Sequence, residues 1–170
     1  MTKSKKTLFG LFIILVISFV VFRWYEFFAG AAVKQPLKFS HKVHTEMIPC
    51  EECHAGVKKS ASAGLPDIKV CMGCHGDKPV TDSPEEKKLV NLITNKKDVG
   101  WKRLYKNPVH VYFSHNRHVS VAQLECEKCH GAIGKTAKPP GRVLVDMEMS
   151  NCISCHKENN VDTSCVTCHK

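Results

Sequence analysis

The hydrophobic pattern divides the chain into one long apolar run and a body with little regular periodicity. Fifteen uncharged residues, Leu8–Phe22, follow a basic leader at residues 2–6. Arg23, Trp24 and Tyr25 come next, and a small-x-small triplet stands at 29–31. This order predicts an apolar N-terminal helix that is either a cleavable signal or a membrane anchor.

Two interpretations of this segment stay open. A signal peptide would be cut after Ala31, behind the triplet Ala29-Gly30-Ala31. An anchor would keep residues 1–33, with Arg23 snorkelling, aromatic residues at the interface and Phe27-Phe28 extending the span. We favour the anchor. Both interpretations leave the leader in the cytoplasm and the body on the periplasmic or extracytoplasmic side. With the anchor, we expect a single-pass protein of the cytoplasmic membrane.

In the body, residues 34–170, one segment has a clear helical pattern. Ser83 is a candidate N-cap, Pro84 suits the first helical position and Glu86 would close a capping box. Leu89, Leu92 and Ile93 then share one face, which predicts a packing helix, with a docking helix as the alternative. Elsewhere the pattern predicts short helices and irregular segments.

One pentapeptide, Cys-x-x-Cys-His, occurs five times and uses all ten cysteines. It is the attachment motif of c-type haem, in which two thiols form thioethers and the histidine binds iron. A zinc shell, a thioredoxin motif or a disulfide framework gives no reason for a histidine after every pair. The predicted thioether residues are Cys50, Cys53, Cys71, Cys74, Cys126, Cys129, Cys152, Cys155, Cys165 and Cys168.

The ten histidines match the number of axial positions on five haems. The motif histidines are the predicted proximal ligands: His54, His75, His130, His156 and His169. The remaining histidines are the predicted distal ligands: His41, His44, His110, His115 and His118. One mixed haem with a methionine ligand is the alternative, and the candidates are Met47, Met72, Met147 and Met149.

Five haems are large cofactors for a body of about 135 residues, which is one domain by length. We therefore predict a multihaem cytochrome c fold: one N-terminal transmembrane helix plus a small, mostly irregular domain whose short α-helices pack around five covalently bound haems. The formal charge of +9 falls to about +4 if each oxidised haem contributes about −1. We expect no nucleic-acid partner.

The body contains a repeat. Phe39-Ser40-His41-x-x-His44 precedes the first haem motif, and Phe113-Ser114-His115-x-x-His118 precedes the third. The predicted units are 37–78 and 108–156, with a helical linker at 79–107 and a tail haem at 157–170. We expect the first histidine of each pair to serve the local haem and the second to serve another. The unpaired His110 would then serve the tail haem.

The Phe-Ser-His-x-x-His segments followed by haem motifs resemble the class III multihaem cytochromes c. The stretches Gly64-Leu65-Pro66 to His75 and His110–Val119 are also similar to the membrane-anchored pentahaem subunits of alternative complex III and related quinol-oxidising complexes. The resemblance implies that His41 ligates the haem at Cys50/Cys53 and His115 the haem at Cys126/Cys129. It covers most of the chain, and a sibling quinone-linked assembly is the alternative.

The resemblance implies an electron-transfer subunit of a respiratory complex rather than an enzyme. Its partners would be iron–sulfur and integral membrane subunits that oxidise quinol, followed by a cytochrome c or terminal oxidase. The residues agree, because an iron with two strong protein ligands has no position for a substrate. The alternative is a multihaem reductase of a small oxyanion, which would need one open axial position.

Overall fold

The computed structural model describes residues 3–29, 32–76 and 78–169. Gly30 and Ala31 of the cleavage-like triplet, and Thr2 of the basic leader, lie outside the described residues. The chain divides into two units, residues 1–32 and 33–170.

The first unit is built by a single helix, α1 (Lys3–Ala29). Its window Leu8–Glu26 is long and apolar enough to cross a membrane, and none of that window is buried. Nineteen residues at about 1.5 Å each span about 28 Å, close to the hydrocarbon thickness of a bilayer. At its end, Arg23 and Glu26 form an ion pair of 2.9 Å one helical turn apart. The ion pair brings these two opposite charges together on one side of the helix.

The second unit consists of short helices joined by irregular segments. The predicted mostly irregular domain with short α-helices is confirmed for the described residues. The helices are α2 (His41–Thr45), α3 (Cys50–Cys53), α4 (Ile68–Met72), α5 (Pro84–Thr94), α6 (Cys126–His130), α7 (Met149–Glu158) and α8 (Cys165–Cys168). A π-helical turn covers Arg117–Val121 and a 3-10 turn covers Ile133–Lys135.

The apolar core of this unit is small. Among the described residues, the buried apolar side chains are Leu37, Val57, Leu89, Ile93 and Val99. Four of them form one cluster, against which the side chain of Cys71 packs. Because so little apolar surface is buried by polypeptide alone, other groups must supply most of the core.

Helix α5 is a packing helix, as its apolar face predicts, since Leu89 and Ile93 are buried in the cluster. Ser83 is its N-cap residue and Pro84 its first position, as expected. The predicted capping box is wrong. The Ser83 side chain makes no capping hydrogen bond, and Glu86 accepts hydrogen bonds from residues upstream of the helix instead.

A short extended contact joins the start of the second repeat to the tail segment. Val111 and His169 form an isolated antiparallel bridge, and the backbone N–H of Tyr112 donates to the carbonyl of Cys168 at 2.8 Å. This contact places the last haem motif against the segment that carries His110.

Candidate haem-binding sites

Four of the Cys-x-x-Cys segments lie within a helix, and the second, Cys71–Cys74, begins at the end of α4 and continues into a turn. The two thiols, three residues apart, therefore lie on the same side of the turn. After the first, second and fifth motifs, the histidine N–H bonds back to the carbonyl of the first cysteine at 2.8–2.9 Å. Asp67 caps α4 by accepting from the N–H of Lys69 at 2.8 Å. The local fold thus presents two thiols and one imidazole together.

The motif histidines face the histidines outside the motifs. Four such imidazole pairs have ring centres 5.4–6.3 Å apart. The pairs are His44 with His75 at 6.1 Å, His110 with His169 at 5.4 Å, His115 with His130 at 6.3 Å and His118 with His156 at 6.2 Å.

Three of these four separations fit one metal atom between the two rings, and the fourth, between His110 and His169, is shorter. A metal–imidazole bond is about 2 Å long and the ring centre lies about 1 Å behind the nitrogen, which gives about 6 Å between opposed ring centres. Three pairs lie at 6.1–6.3 Å. The described residues contain no group of three or more His, Cys, Asp or Glu side chains placed to hold a metal ion.

The two remaining histidines, His41 and His54, are near enough to influence each other electrostatically. Burial lowers the pKa of His41, and the neighbouring His54 and His44 lower it further. Burial likewise lowers the pKa of His130, with added contributions from His115 and again His54. Neutral imidazole is the form that binds a metal, so both shifts favour the binding form.

Hydrogen bonds to Nδ1 orient most of these rings. The Nδ1–H groups of His44, His54 and His115 donate to backbone carbonyls at 2.8–2.9 Å. Those of His118 and His156 do so at 2.8 and 3.1 Å. A ring protonated at Nδ1 offers the Nε2 lone pair to a metal. The orientation therefore suits axial ligation.

The two Phe-Ser-His-x-x-His segments share one local geometry. Each phenylalanine meets the first histidine edge-on, with ring centres 5.0 and 4.8 Å apart and planes at 88°. It stacks on the second histidine at 4.3 and 4.6 Å. The exact unit boundaries, 37–78 and 108–156, stay a prediction.

The repeats also hold each other's first histidine. The ring of His115 donates to the carbonyl of Ala61 at 2.9 Å, and the hydroxyl of Thr136 lies 3.3 Å from Nδ1 of His41. Thr45 and Lys42 add bonds to the 134–136 backbone. Each repeat thereby completes the surroundings of the other.

The thiols show which motifs are neighbours. Burial raises the pKa of the Cys71 thiol, and Cys53 of the first motif raises it further. The pKa of Cys126 is raised by burial and, to a smaller extent, by Cys50. The pKa of Cys129 is raised by burial and, to a smaller extent, by Cys155. The pKa of Cys152 is raised by burial and next by Cys168. These neighbouring thiols link the second motif to the first, the first to the third, the third to the fourth and the fourth to the fifth.

Glu86 is a site residue that sequence analysis assigned to a helix cap. Its carboxylate accepts from Nδ1 of His75 at 2.7 Å, and from the N–H groups of Val80 and Thr81 and the hydroxyl of Thr81. These bonds, that of the Thr81 hydroxyl foremost, lower the pKa of Glu86 to about 2. The side chain is buried and ionised. In the sequence, this contact is indicated only by the short distance along the chain between His75 and the start of α5 at Pro84.

One buried N–H group, in the indole of Trp101, suits an acceptor that a bound cofactor would supply. The indole N–H of Trp101 is buried without a hydrogen-bond partner in the described structure. Trp101 packs on the same cluster as Cys71, and its ring centre lies 6.1 Å from that of Phe39. An indole N–H can only donate, so it suits a carboxylate such as a haem propionate. The methionines considered as alternative ligands, Met47, Met72, Met147 and Met149, are exposed.

Comparison with known proteins agrees with this geometry. Residues 26–103 match the class III cytochrome C family, and residues 111–170 match cytochrome c7 and related cytochrome c. The chain is also 30% identical over 179 aligned positions to the menaquinone reductase, multiheme cytochrome c subunit, of Nitratidesulfovibrio vulgaris. That alignment covers 89% of this chain and 85% of the relative.

These matches confirm the predicted resemblance, and the two families imply c-type haem as the cofactor. The matched relative is named as a subunit of menaquinone reductase, and together with helix α1 it supports membrane association. A multihaem cytochrome c fold with an electron-transfer role follows from the same findings.

Proposed function

The chain belongs to the class III multihaem cytochrome c family, and on that premise we propose that it is the haem subunit of a membrane complex that exchanges electrons with a quinone. We assign five c-type haems to its ten cysteines. The subunit itself is a carrier of electrons, and the catalytic quinone site lies on partner subunits.

The observation that carries this proposal is the pairing of imidazoles across about 6 Å. We propose that both axial positions of every iron are taken by histidine: His41 and His54, His44 and His75, His110 and His169, His115 and His130, and His118 and His156. Bound haem iron supplies one-electron oxidation and reduction. Backbone hydrogen bonds orient five of these ten histidines. Two histidine ligands on every iron would leave no axial position for a substrate.

The order of the motifs supports a continuous path. Neighbouring thiols link the second motif to the first, the first to the third, and so on to the fifth. A single row of motifs has two ends, at His75 and at His169. We propose that one end faces the quinone-linked membrane subunits and the other faces the second redox partner.

Two directions of electron flow have separate support. The relative is named as a reductase of menaquinone, which favours delivery of electrons to the quinone. The resemblance to pentahaem subunits of quinol-oxidising complexes favours the reverse, from iron–sulfur and integral membrane subunits to a downstream cytochrome c or terminal oxidase. We propose the first direction, because 30% identity over nearly the whole chain supports it.

A stopped-flow experiment on the complex, purified in mild detergent with its partner subunits, tests this function. We expect pre-reduced haems to be oxidised by a menaquinone analogue, because electrons leave the row toward the quinone. The haem absorbance reports the reaction. The matched control is the separated haem subunit, which should react far more slowly since it lacks the quinone site.

The reverse mixture completes the test. Rapid reduction of oxidised haems by the menaquinol analogue, without net oxidation by the quinone, would establish the quinol-oxidising direction instead. If neither mixture reacts in the intact complex, the quinone-linked function is wrong.

We further propose that α1 stays attached as a single-pass anchor, with residues 2–6 cytoplasmic and the haem domain outside. Mass spectrometry of the protein extracted from membranes should give an N-terminus at or next to Met1. Salt washing, the control for peripheral binding, should not release the protein, because the span Leu8–Glu26 is apolar. An N-terminus at residue 32 and release by salt would instead identify a removed signal.

A further inference from the structure

One axial histidine differs from the others in the charge of its hydrogen-bond acceptor. The Nδ1–H of His75 donates to the carboxylate of Glu86 at 2.7 Å. The corresponding acceptors of His44, His54 and His115 are neutral backbone carbonyls, and those of His118 and His156 are carbonyls as well. Of the axial-histidine hydrogen bonds in the described part of the chain, only this one ends on an anion.

The carboxylate is held in a fixed and dry position. Glu86 is 8% exposed, although glutamate is among the residues least often buried. The backbone N–H of Val80 donates to Oε1 at 2.6 Å and that of Thr81 to Oε2 at 2.8 Å. The Thr81 hydroxyl also donates to Oε2. A carboxylate with these partners cannot turn away from the imidazole without losing several hydrogen bonds.

A carboxylate bonded to the outer nitrogen of an axial histidine makes that imidazole a stronger electron donor. Stronger donation stabilises ferric over ferrous iron, and a buried negative charge does the same by electrostatics. Because the site is largely closed to water, solvent screens this charge only weakly.

We infer that Glu86 is a positioning residue that gives the haem ligated by His44 and His75 the lowest reduction potential of the five. The inference rests on the proposed imidazole pairs. The affected step is Fe(III) + e⁻ → Fe(II), in which no bond forms or breaks. This haem lies at one end of the row of motifs. The contact would therefore set a low-potential terminus on the side of the second motif.

The test is a spectroscopic redox titration of the holoprotein, with dithionite as reductant and ferricyanide as oxidant. In the variant Glu86→Gln we expect the lowest midpoint potential to rise. The rise should correspond to at least a tenfold change in the reduction equilibrium, which is about 59 mV for one electron. The amide keeps the size of the side chain and removes its charge.

Glu85→Gln is the matched control. It removes the same charge from the same turn of α5, but Glu85 bonds to Lys88 and to the N–H of Lys38 rather than to a histidine. We expect it to leave the lowest potential nearly unchanged. An equal shift in both variants, or a shift of a component other than the lowest, would overturn the inference.

A second variant avoids any damage to the Glu86 pocket. His44→Met changes the ligand on the opposite side of the same iron, and a methionine ligand raises the potential. The component that rises should be the one that is lowest in the unaltered protein, and a rise of any other component refutes the assignment. Failure of the imidazole pairing itself looks different, because His44→Met would then leave every midpoint potential nearly unchanged, or the unaltered protein would show a high-spin iron.

Discussion

The variant in which Cys126 and Cys129 are both replaced by alanine should lose a haem and most of its folded state. These thiols belong to the third motif, which stands in the middle of the row between the first and the fourth. The polypeptide buries few apolar side chains of its own, so the loss of a central cofactor removes a large part of the core. Haem content by mass spectrometry, yield and resistance to proteolysis measure the effect.

The fifth motif provides the matched control. Cys165 and Cys168 stand at one end of the row, and the side chain of Cys165 is exposed. Replacing both should remove one haem while the remaining protein folds with nearly normal yield. We expect the central variant to accumulate several-fold less, as destabilised proteins do in cells. Equal yields and equal protease resistance would show that the central haem is not part of the core.

The variant His118→Ala should keep all five haems and convert one iron from low to high spin. The thioethers are untouched, but the ring that faces His156 at 6.2 Å is gone. Electron paramagnetic resonance should show a new high-spin ferric signal. After reduction, carbon monoxide should bind one haem per molecule, because one axial position is open.

Met149→Ala is the control for this experiment. Met149 begins α7, the helix that carries His156, and is the methionine best placed in sequence to compete as a ligand of the fourth haem. We expect this variant to stay low-spin. A high-spin iron in Met149→Ala but not in His118→Ala would show that the axial ligand is Met149 and not His118. A high-spin iron in the unaltered protein would favour the oxyanion-reductase alternative.

The short-range features of this protein could be predicted from the sequence because they depend on neighbouring residues. The apolar run predicts α1, and each Cys-x-x-Cys spacing brings two thiols to one helical turn. The packing face of α5 follows from Leu89 and Ile93. The repeat of Phe39 and Phe113 before a histidine pair also indicated two similar segments, and their ring geometries agree closely.

The long-range features could not be predicted in the same way. The order of the motifs in space depends on how irregular segments return, and no periodicity encodes that path. Glu86 shows a second reason. Its position three residues after Ser83 fits a capping box, a local pattern that competes with the contact to His75. In the folded protein Glu86 bonds to His75 instead of capping the helix, because the loop at Val80 and Thr81 supplies further donors for its carboxylate.

The crossed hydrogen bonds between the repeats have a consequence for biogenesis. His41 is made early during synthesis of the chain, but the 134–136 backbone and the Thr136 hydroxyl that surround it are made almost a hundred residues later. Ala61, in turn, receives its bond only when His115 arrives. Each half thus lacks part of its surroundings until the other half has been made. We therefore expect haem attachment to the early motifs to precede the final closure of the domain.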